Sequence, residues 1–556
     1  MSEVQVVRGE MQPWTDRTTP RPALAALLTD AVPANRRTLI LGPHAPQLIE
    51  SVLAHSADVT ILVRSVADAQ QLGEDFGPCL QVIAGALDGL QTPPYDVIIA
   101  SDGLDRVLGY DSVDLSWSER LAAVAALAAP DAVAVLGLEN EFSLLNMLDS
   151  RPAAERHGDD EWRPLHDDPT RPVSVDQLRT ALPWPAEVYA DFASRTYVRA
   201  DVAANARSGE LPTRLAVAAL EQPAVPLLSP AHEGLDTAAR AGLLASVPTG
   251  WLAVVSPHTT QDIYTETATT VLTANQTLTG WDTTTTPAQG APADGSLAFD
   301  PAVVPSTISS GVSVESVLFR LACAEDVPGF RKLAADLGDW VSESRVVLRW
   351  DDVVYDGESF SHGVSGWVAP EVVEKDDLLA AAWVRFHERL VGQQRRHPWP
   401  PWMVGDDLVS AWLGMSGVEA PEQVPATSPD SAPATSEQVA RGKEIAAALD
   451  DVLGTRAGTV DVRTALAEAE AAKHELFELK GHVYGLERTL GFRNKAMKTR
   501  ENRIRELRGQ LQKLTVAHER IRGSRTYAVS RVIFHAAQVR KPKVVARKIG
   551  RRIRKR

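Results

Sequence analysis

Short apolar runs separated by longer mixed stretches dominate the first part of the chain. The apolar runs lie at residues 38–41, 59–63, 80–85, 95–100 and 132–137, and stretches with a helical pattern lie at residues 47–55 and 118–129. Runs that are apolar at nearly every position and alternate with helices are typical of a parallel sheet covered on both faces. The pattern predicts an α/β fold, with a Rossmann-like domain at residues 30–205 behind an N-terminal extension at residues 1–29.

The middle of the chain, residues 206–416, has a mixed pattern. Residues 251–255 and 269–278 favour strands, whereas apolar positions at residues 314–340 recur at mostly helical spacing, with a break between two helices expected at Pro328 and Gly329. We therefore expect a second α+β domain here. Aromatic side chains crowd residues 383–412. They either bind sugars or, as the simpler interpretation, seal the edge of this domain.

The last part of the chain changes composition twice. Residues 417–440 are rich in Pro, Ala, Thr and Ser and predict a disordered linker. Residues 441–522 predict a helical coiled coil, because apolar side chains keep a 3-4 spacing from Leu476 to Ile521. This pattern predicts a homo-oligomer; the alternative is one amphipathic helix folded back on its own domain.

A basic tail at residues 523–556 ends an otherwise acidic chain. The formal net charge is −15, yet twelve Lys and Arg residues and no acidic residue lie beyond Gly523. Val and Ile are interleaved with these charges, so the tail is amphipathic and is expected to bind an anionic membrane surface. Nucleic acid is the competing partner, but the acidic body opposes it.

The sequence argues against a secreted protein, a membrane-spanning protein and a metal or disulfide site. The first residues are polar without an apolar core, and no apolar run reaches the roughly 18–20 residues that a membrane span needs. The two cysteines, Cys79 and Cys323, follow no metal or disulfide spacing. We expect a cytoplasmic protein without a metal site, peripheral on the inner face of the cell membrane.

Candidate chemistry lies where the apolar runs end. Gly42 follows the first run and is either part of a cofactor turn or simply the turn from strand to helix. His44 and Arg64 could hold an anion at a helix N-terminus, or they are a solvated loop histidine and a surface arginine. Asp102 and its neighbours Asp105 and Arg106 either line a site or belong to a polar loop.

Three segments resemble a known family. Residues 135–144 form a strand ending in an apolar-Glu-Asn segment before a helix, residues 95–104 form the strand that leads to the substrate side, and residues 184–189 combine proline with aromatic side chains. Over roughly residues 30–200 the chain resembles class I S-adenosylmethionine (SAM) dependent methyltransferases, most closely those of bacterial surface polysaccharides. With its later segments, it resembles the O-antigen chain-terminating methyltransferase/kinase architecture with a C-terminal coiled coil.

The resemblance implies SAM as the cofactor and assigns site residues, although the cofactor motifs are degenerate. The cofactor-binding positions would be Gly42, His44, Arg64, Gly85, Ala86 and Ser101, and the catalytic carboxylates would be Asp102 and Glu139. The first turn keeps one glycine beside two prolines, Val63 and Arg64 stand where an acidic residue should accept the ribose hydroxyls, and Ala86 stands where an Asp is usual. Each missing bond to a buried polar ligand costs about 1–3 kcal/mol.

The second domain resembles the kinase-like part of the same architecture. Asp352 stands where the family carries a metal-binding Asn, and residues 363–365 replace its second Asp. Phosphoryl transfer relies on a positioned Mg²⁺, so a structural remnant is expected here rather than a kinase.

Two functions follow from these patterns. The first is a SAM-dependent methyltransferase that methylates a sugar hydroxyl of a cell-surface glycan or its lipid-linked precursor. The alternative is a catalytically inactive, membrane-associated scaffold of a glycan-assembly complex.

Overall fold

The computed structural model describes residues 4–152, 156, 168–221, 225, 227–228, 231–267, 270–287, 297–392, 395–400, 403, 405–418, 434–453 and 462–539. The chain forms two compact units, Met1–Arg456 and Ala457–Arg556.

The first half of the first unit is a parallel sheet with helices on both faces. Its strands are β1 (Gln5–Val6), β2 (Arg37–Leu41), β3 (Asp58–Val63), β4 (Gln81–Ala84), β5 (Tyr95–Ala100) and β6 (Ala128–Glu139), in the spatial order β1-β4-β3-β2-β5-β6. The helices between them are α1 (Pro22–Ala31), α2 (Pro46–His55), α3 (Val66–Phe76) and α4 (Trp117–Ala126). All five strand pairs are parallel. The predicted α/β fold is confirmed.

Successive side chains of a strand point to opposite faces of the sheet, and both faces are buried here, so the strands must be apolar at nearly every position. Within β2, Ile40 packs into the apolar cluster beneath α1 and α2, whereas its neighbours Leu39 and Leu41 pack into the opposite cluster beneath α4. Both faces are therefore core, and no position of the strand can be polar without a partner.

An antiparallel half extends the same sheet. It consists of β7 (Ala186–Phe192), β8 (Thr196–Arg199), β9 (Gly250–Val255), β10 (Ile263–Thr267), β11 (Thr270–Gln276), β12 (Gly280–Pro287) and β14 (Thr307–Ser309). Strand β9 lies antiparallel between β6 and β7, and the order continues β8-β10-β11-β12-β14 to complete thirteen strands. Because β8 pairs directly with β10, the boundary predicted between residues 205 and 206 does not interrupt the sheet.

Helices and two small sheets complete this unit. The remaining helices are α5 (Leu144–Leu148), α6 (Val175–Ala181), α7 (Ala200–Asn205), α8 (Leu211–Leu220), α9 (Ala231–Arg240), α10 (Val314–Cys323), α11 (Val327–Trp340), α12 (Lys375–Gly392), α13 (Asp406–Met415) and α14 (Ala434–Leu453). The small sheets are β13 (Ala298–Phe299) with β19 (Trp367–Val373) and β16 (Ser344–Val346), and β15 (Val312–Ser313) with β17 (Val354–Tyr355) and β18 (Phe360–Ser361).

Two expectations about these helices need correction. The helix break comes at residues 324–326, and Pro328 lies in the first turn of α11, where its missing N–H costs no hydrogen bond. Helix α14 packs on α12, with Arg441 paired to Asp377, so residues 441–453 belong to the first unit and not to the coiled coil. The predicted disordered linker was also too long at its end, because residues 434–440 already belong to α14. Its central part, residues 419–433, lies outside the described residues.

The aromatic crowding seals the helical part of the unit. Phe330, Trp383, Phe386 and Trp412 are at most 1% exposed and contact one another. These rings are core, which confirms the simpler of the two interpretations.

The second unit is a long helix followed by a shorter one, α15 (Val462–Gly523) and α16 (Arg525–Val539). Its 62 residues give α15 a length of about 93 Å at 1.5 Å per residue. The apolar side chains from Leu476 to Ile521 are exposed in the single chain, so the coiled coil stays a prediction. None of the helices in the described ranges is both long and apolar enough to span a bilayer. Residues 540–556 of the basic tail lie outside those ranges.

Candidate functional site

The candidate site lies where the strand order of the parallel sheet reverses. From β2 the chain adds β3 and β4 on one side and then crosses over to β5 and β6 on the other. Ligands of open α/β sheets bind in the crevice outside the carboxyl ends of the strands at such a switch point. The structure brings all predicted site residues to this edge: Gly42 and His44 after β2, Arg64 after β3, Gly85 and Ala86 after β4, Ser101 and Asp102 after β5, and Glu139 at the end of β6.

Gly42 and His44 shape the turn after β2. Gly42 has φ +85°, a conformation that glycine adopts without strain, and its N–H donates to the Leu62 carbonyl at 2.9 Å. His44 Nδ1 lies 3.0 Å from the Gly42 carbonyl oxygen, and Nε2 lies 2.8 Å from Ser101 Oγ. Because a carbonyl can only accept, Nδ1 carries the proton and the Ser101 hydroxyl donates to Nε2.

His44 is a neutral, buried side chain. Burial lowers its pKa, although the nearby Asp102 carboxylate opposes the shift. Both ring nitrogens are engaged and the residue is 7% exposed. The ring is therefore neither an anion-binding group nor a solvated loop histidine, and both expectations for it were wrong.

Arg64 forms the most buried ion pair at this edge. Its Nη2 lies 2.6 Å from Asp16 Oδ1 and its Nε lies 2.9 Å from Asp16 Oδ2, and both side chains are at most 1% exposed. The Trp14 ring centroid lies 5.2 Å from the guanidinium carbon. Arg64 is thus not a surface arginine, and its charge is already matched within the chain.

Asp16 belongs to a stretch of chain, residues 7–16, that we call the N-terminal segment. It lies along the carboxyl ends of β3 and β4. The Val7 N–H donates to the Ala84 carbonyl at 2.8 Å, and the Met11 N–H donates to the Arg64 carbonyl at 2.7 Å. Met11 is fully buried. The sequence interpretation treated these residues only as part of a polar extension and missed their position over the crevice.

The glycine positions of the crevice are in close contact with this segment. A Cβ on Gly85 would lie 2.4 Å from Val7 Cγ2, and a Cβ on Gly9 would lie 2.3 Å from the Cβ of Ala86. Ala86 is completely buried, and its N–H donates to the Arg8 carbonyl at 3.0 Å. The predicted cofactor positions Gly85 and Ala86 therefore contact the chain itself.

The two predicted catalytic carboxylates differ in their surroundings. Asp102 lies between two guanidinium groups, with Arg21 Nη2 3.1 Å from Oδ1 and Arg106 Nη1 3.3 Å from Oδ2. Glu139 is half-buried, and its backbone carbonyl accepts a hydrogen bond from Arg171 at 2.9 Å. Both carboxylate oxygens of Asp102 therefore face guanidinium groups, and a proton-acceptor role would require Asp102 to exchange these partners.

Sequence reasoning missed further charged groups at the same edge. Burial raises the pKa of Asp191 to about 6, while Arg21 and the Ser194 N–H at 2.6 Å oppose the shift. Although burial disfavours the charge of Arg21, the neighbouring Tyr197, Asp102 and Asp191 raise its pKa. Arg21 precedes α1, whereas Asp191 lies in β7, so only the fold brings them together.

The carboxylates of Asp351 and Asp352 are paired within the chain. Asp352 Oδ1 lies 2.6 Å from Arg214 Nη2, and the same carboxylate accepts the N–H groups of Val364 and Ser365 at 3.0 and 2.8 Å. Asp351 pairs with Arg349. In the part of the chain that the structure describes, no group of three or more His, Cys, Asp and Glu side chains is placed to hold a metal ion.

Comparison with known proteins gives matches in fold only. No protein-family model matches the sequence, and no curated protein matches it. Similar solved structures include the CcbJ methyltransferase from Streptomyces caelestis, with 17% identity, TM-score 0.17, and coverage of 22% of this chain and 51% of that chain. Another is a SAM-dependent methyltransferase from Thiobacillus denitrificans in complex with S-adenosylhomocysteine, with 14% identity, TM-score 0.19, and coverage of 23% and 52%.

A third is a SAM-dependent methyltransferase from Clostridium acetobutylicum, with 12% identity, TM-score 0.20, and coverage of 24% of this chain and 56% of that chain. All three are described as methyltransferases, and the second and third as SAM-dependent. This chain spans about half the length of each of the three.

SAM is the cofactor that the sequence resemblance implies, and it needs particular groups at the strand ends. The ribose hydroxyls need an acceptor at the end of β3, but the guanidinium of Arg64 only donates and is already paired with Asp16. The ends of β3 and β4 are covered by residues 7–16. As long as the N-terminal segment stays in place, these residues do not fit SAM.

Proposed function

We propose that this chain is a methyltransferase-like scaffold of cell-surface glycan assembly, in which the N-terminal segment closes the crevice that SAM would enter. The observation that carries the proposal is the buried pair of Arg64 and Asp16 at the carboxyl end of β3. This pair takes the position of the ribose contact and ties residues 7–16 to the sheet.

The cost of opening the crevice supports this choice. Opening the crevice breaks the two hydrogen bonds between Arg64 and Asp16, and a hydrogen bond to a charged group typically contributes about 1.5–3 kcal/mol. A ligand that binds only the open form has its affinity reduced by the fraction of molecules that are open. SAM would lose this free energy in addition to the contacts missing at the first turn and at Ala86.

The glycan setting rests on the sequence resemblance at residues 135–144 and on the order of segments along the chain. As a scaffold, the protein would form homo-oligomers through α15 and bind an anionic membrane surface through residues 523–556, on the cytoplasmic face. Its further partner would be a glycan or lipid-linked glycan. Nucleic acid is disfavoured as a partner because the net charge is −15.

A SAM-dependent methyltransferase acting on a sugar hydroxyl is the second candidate. It is favoured by Ser101 and Asp102, which follow the strand beside the switch point. This function requires the N-terminal segment to leave the crevice and Asp102 to be freed from Arg21 and Arg106.

Complementation in cells that lack the gene separates the two candidates. One variant carries Ser101→Ala with Glu139→Gln, and the other carries Leu486→Lys with Leu490→Lys on the exposed face of α15. A scaffold tolerates the first variant and fails with the second, measured as the amount and length of surface polysaccharide. Loss of function in the first variant only would contradict the scaffold and favour the methyltransferase.

A further inference from the structure

A large cavity lies in the first unit, away from the crevice. Its volume is about 920 Å³, toward the upper end of the range for small-molecule sites. Its walls come from the start of β8, the end of β10, and helices α8 and α10, with residues 451–453 of α14 contributing. The cavity is therefore bounded by the extension of the sheet and by the helical part of the unit.

The cavity opens at the same edge of the sheet as the crevice. Strand β7 is parallel to β6 because both run antiparallel to β9, and β10 runs parallel to β7 because both pair antiparallel with β8. The start of β8 and the end of β10 thus lie at the carboxyl edge. Four strand spacings separate β5 from β8, or about 19 Å, so the two sites are distinct.

The wall of the cavity carries equal numbers of basic and acidic side chains. Seven arginines line it together with seven Asp and Glu residues, and eight further lining residues are Ser or Thr. A ligand carrying a net charge would disturb this balance, whereas hydroxyl groups donate to carboxylates and accept from guanidinium groups without doing so. The wall therefore favours a neutral ligand with many hydroxyl groups.

The floor of the cavity is a rigid network of ion pairs. Arg389 Nε lies 2.8 Å from Glu315 and its Nη1 lies 2.5 Å from Glu221. Burial raises the pKa of Glu315 to about 7, while Arg389 opposes the shift. Arg214 is fixed in turn by Asp352. Fixed donors and acceptors of this kind select a ligand by the geometry of its hydrogen bonds.

The wall includes a serine hydroxyl that makes no hydrogen bond within the described part of the chain. Ser365 Oγ is shielded from solvent, and no described residue accepts or donates a hydrogen bond to it. Ser365 also lines the cavity, next to Trp367 and the half-buried Phe299. A buried hydroxyl left without a bond costs free energy that a ligand hydroxyl would restore.

We infer that this cavity binds a neutral carbohydrate, through paired guanidinium and carboxylate groups, Ser and Thr hydroxyls and an aromatic wall. The choice of a carbohydrate among neutral polyhydroxylated ligands rests on the glycan-related function proposed above. The cavity would then hold part of the glycan while α15 assembles the complex.

Saturation-transfer NMR on the full chain tests this inference. The probes are D-glucose, D-galactose and D-mannose, with D-glucuronate as the charged comparison. The blocking variant is Ala218→Trp, because Ala218 is an exposed residue of α8 that lines the cavity. The matched control is Ala122→Trp, because Ala122 is equally an exposed residue inside a helix, α4, and is not part of the cavity wall.

We expect saturation transfer from the parent chain to at least one neutral sugar. This transfer should be at least tenfold weaker in Ala218→Trp and unchanged in Ala122→Trp. Ser365→Ala, which removes only a hydroxyl, should weaken the binding of that sugar about three- to tenfold. Absence of transfer to all three neutral sugars, transfer that Ala218→Trp leaves intact, or a preference for glucuronate would overturn the inference. These results are independent of SAM binding and of the complementation experiment, so failure here is distinguishable from failure of the scaffold function.

Discussion

Replacing Asp16 with asparagine should release the N-terminal segment from the crevice. The substitution keeps the size of the side chain but leaves the Arg64 guanidinium, 0% exposed, without a matching charge. Removing one partner of such a pair costs about 3–5 kcal/mol. At 1.4 kcal/mol per factor of ten, local opening should become between about 100-fold and several thousand-fold more frequent.

Native-state hydrogen exchange measures this opening directly. The Met11 and Val66 N–H groups bond across the contact between the segment and the sheet, so their protection should fall by that factor. Asp58→Asn is the control, since Asp58 is 56% exposed and pairs with Arg37 at the surface, where ion pairs contribute little. Protection of Met11 and Val66 that stays within threefold of the parent chain would refute the idea that the buried pair holds the segment.

Three further predictions follow from the described contacts. Burial raises the pKa of Glu315 to about 7 from its ordinary value of 4.5, so the parent chain loses stability as pH rises between these values. The free energy of unfolding of Glu315→Gln, measured by thermal unfolding, should therefore gain up to about 3 kcal/mol relative to that of the parent chain between pH 5 and pH 8. Gly109→Ala should speed exchange in residues 7–16, because its Cβ would lie 1.9 Å from the Gly9 carbonyl oxygen, whereas Gly414→Ala, with nothing within 4 Å, should not. Leu486→Lys should convert an oligomer to monomer in analytical ultracentrifugation; a monomeric parent chain would refute the coiled coil.

The parallel half of the sheet could be predicted because its strands have a simple physical signature. Strands buried on both faces must be apolar at every position, and β5 was predicted at its full length. The antiparallel half was harder to recognise as part of the same sheet. Strand β12 reads Gly-Trp-Asp followed by four threonines and a proline, and its polar positions gave no indication that it extends the first sheet.

The sequence located the candidate site through its strand ends, but it did not show which side chains contact one another there. Strand ends could be read from the sequence, which placed Gly42, His44, Ser101 and Asp102 correctly at one edge. The partners of these groups lie far along the chain: Asp16 is 48 residues from Arg64, and Ser101 is 57 residues from His44. Such pairs form only in the completed fold, so the sequence could not indicate that Arg64 is paired with a carboxylate or that His44 is buried.

Direct titration of SAM into the full chain tests whether the N-terminal segment closes the crevice. Isothermal titration should show no saturable heat up to millimolar SAM, because residues 7–16 and the pair of Arg64 with Asp16 cover the strand ends. Saturable binding at micromolar SAM would contradict this closure, since the crevice would then be open and the methyltransferase would become the better account.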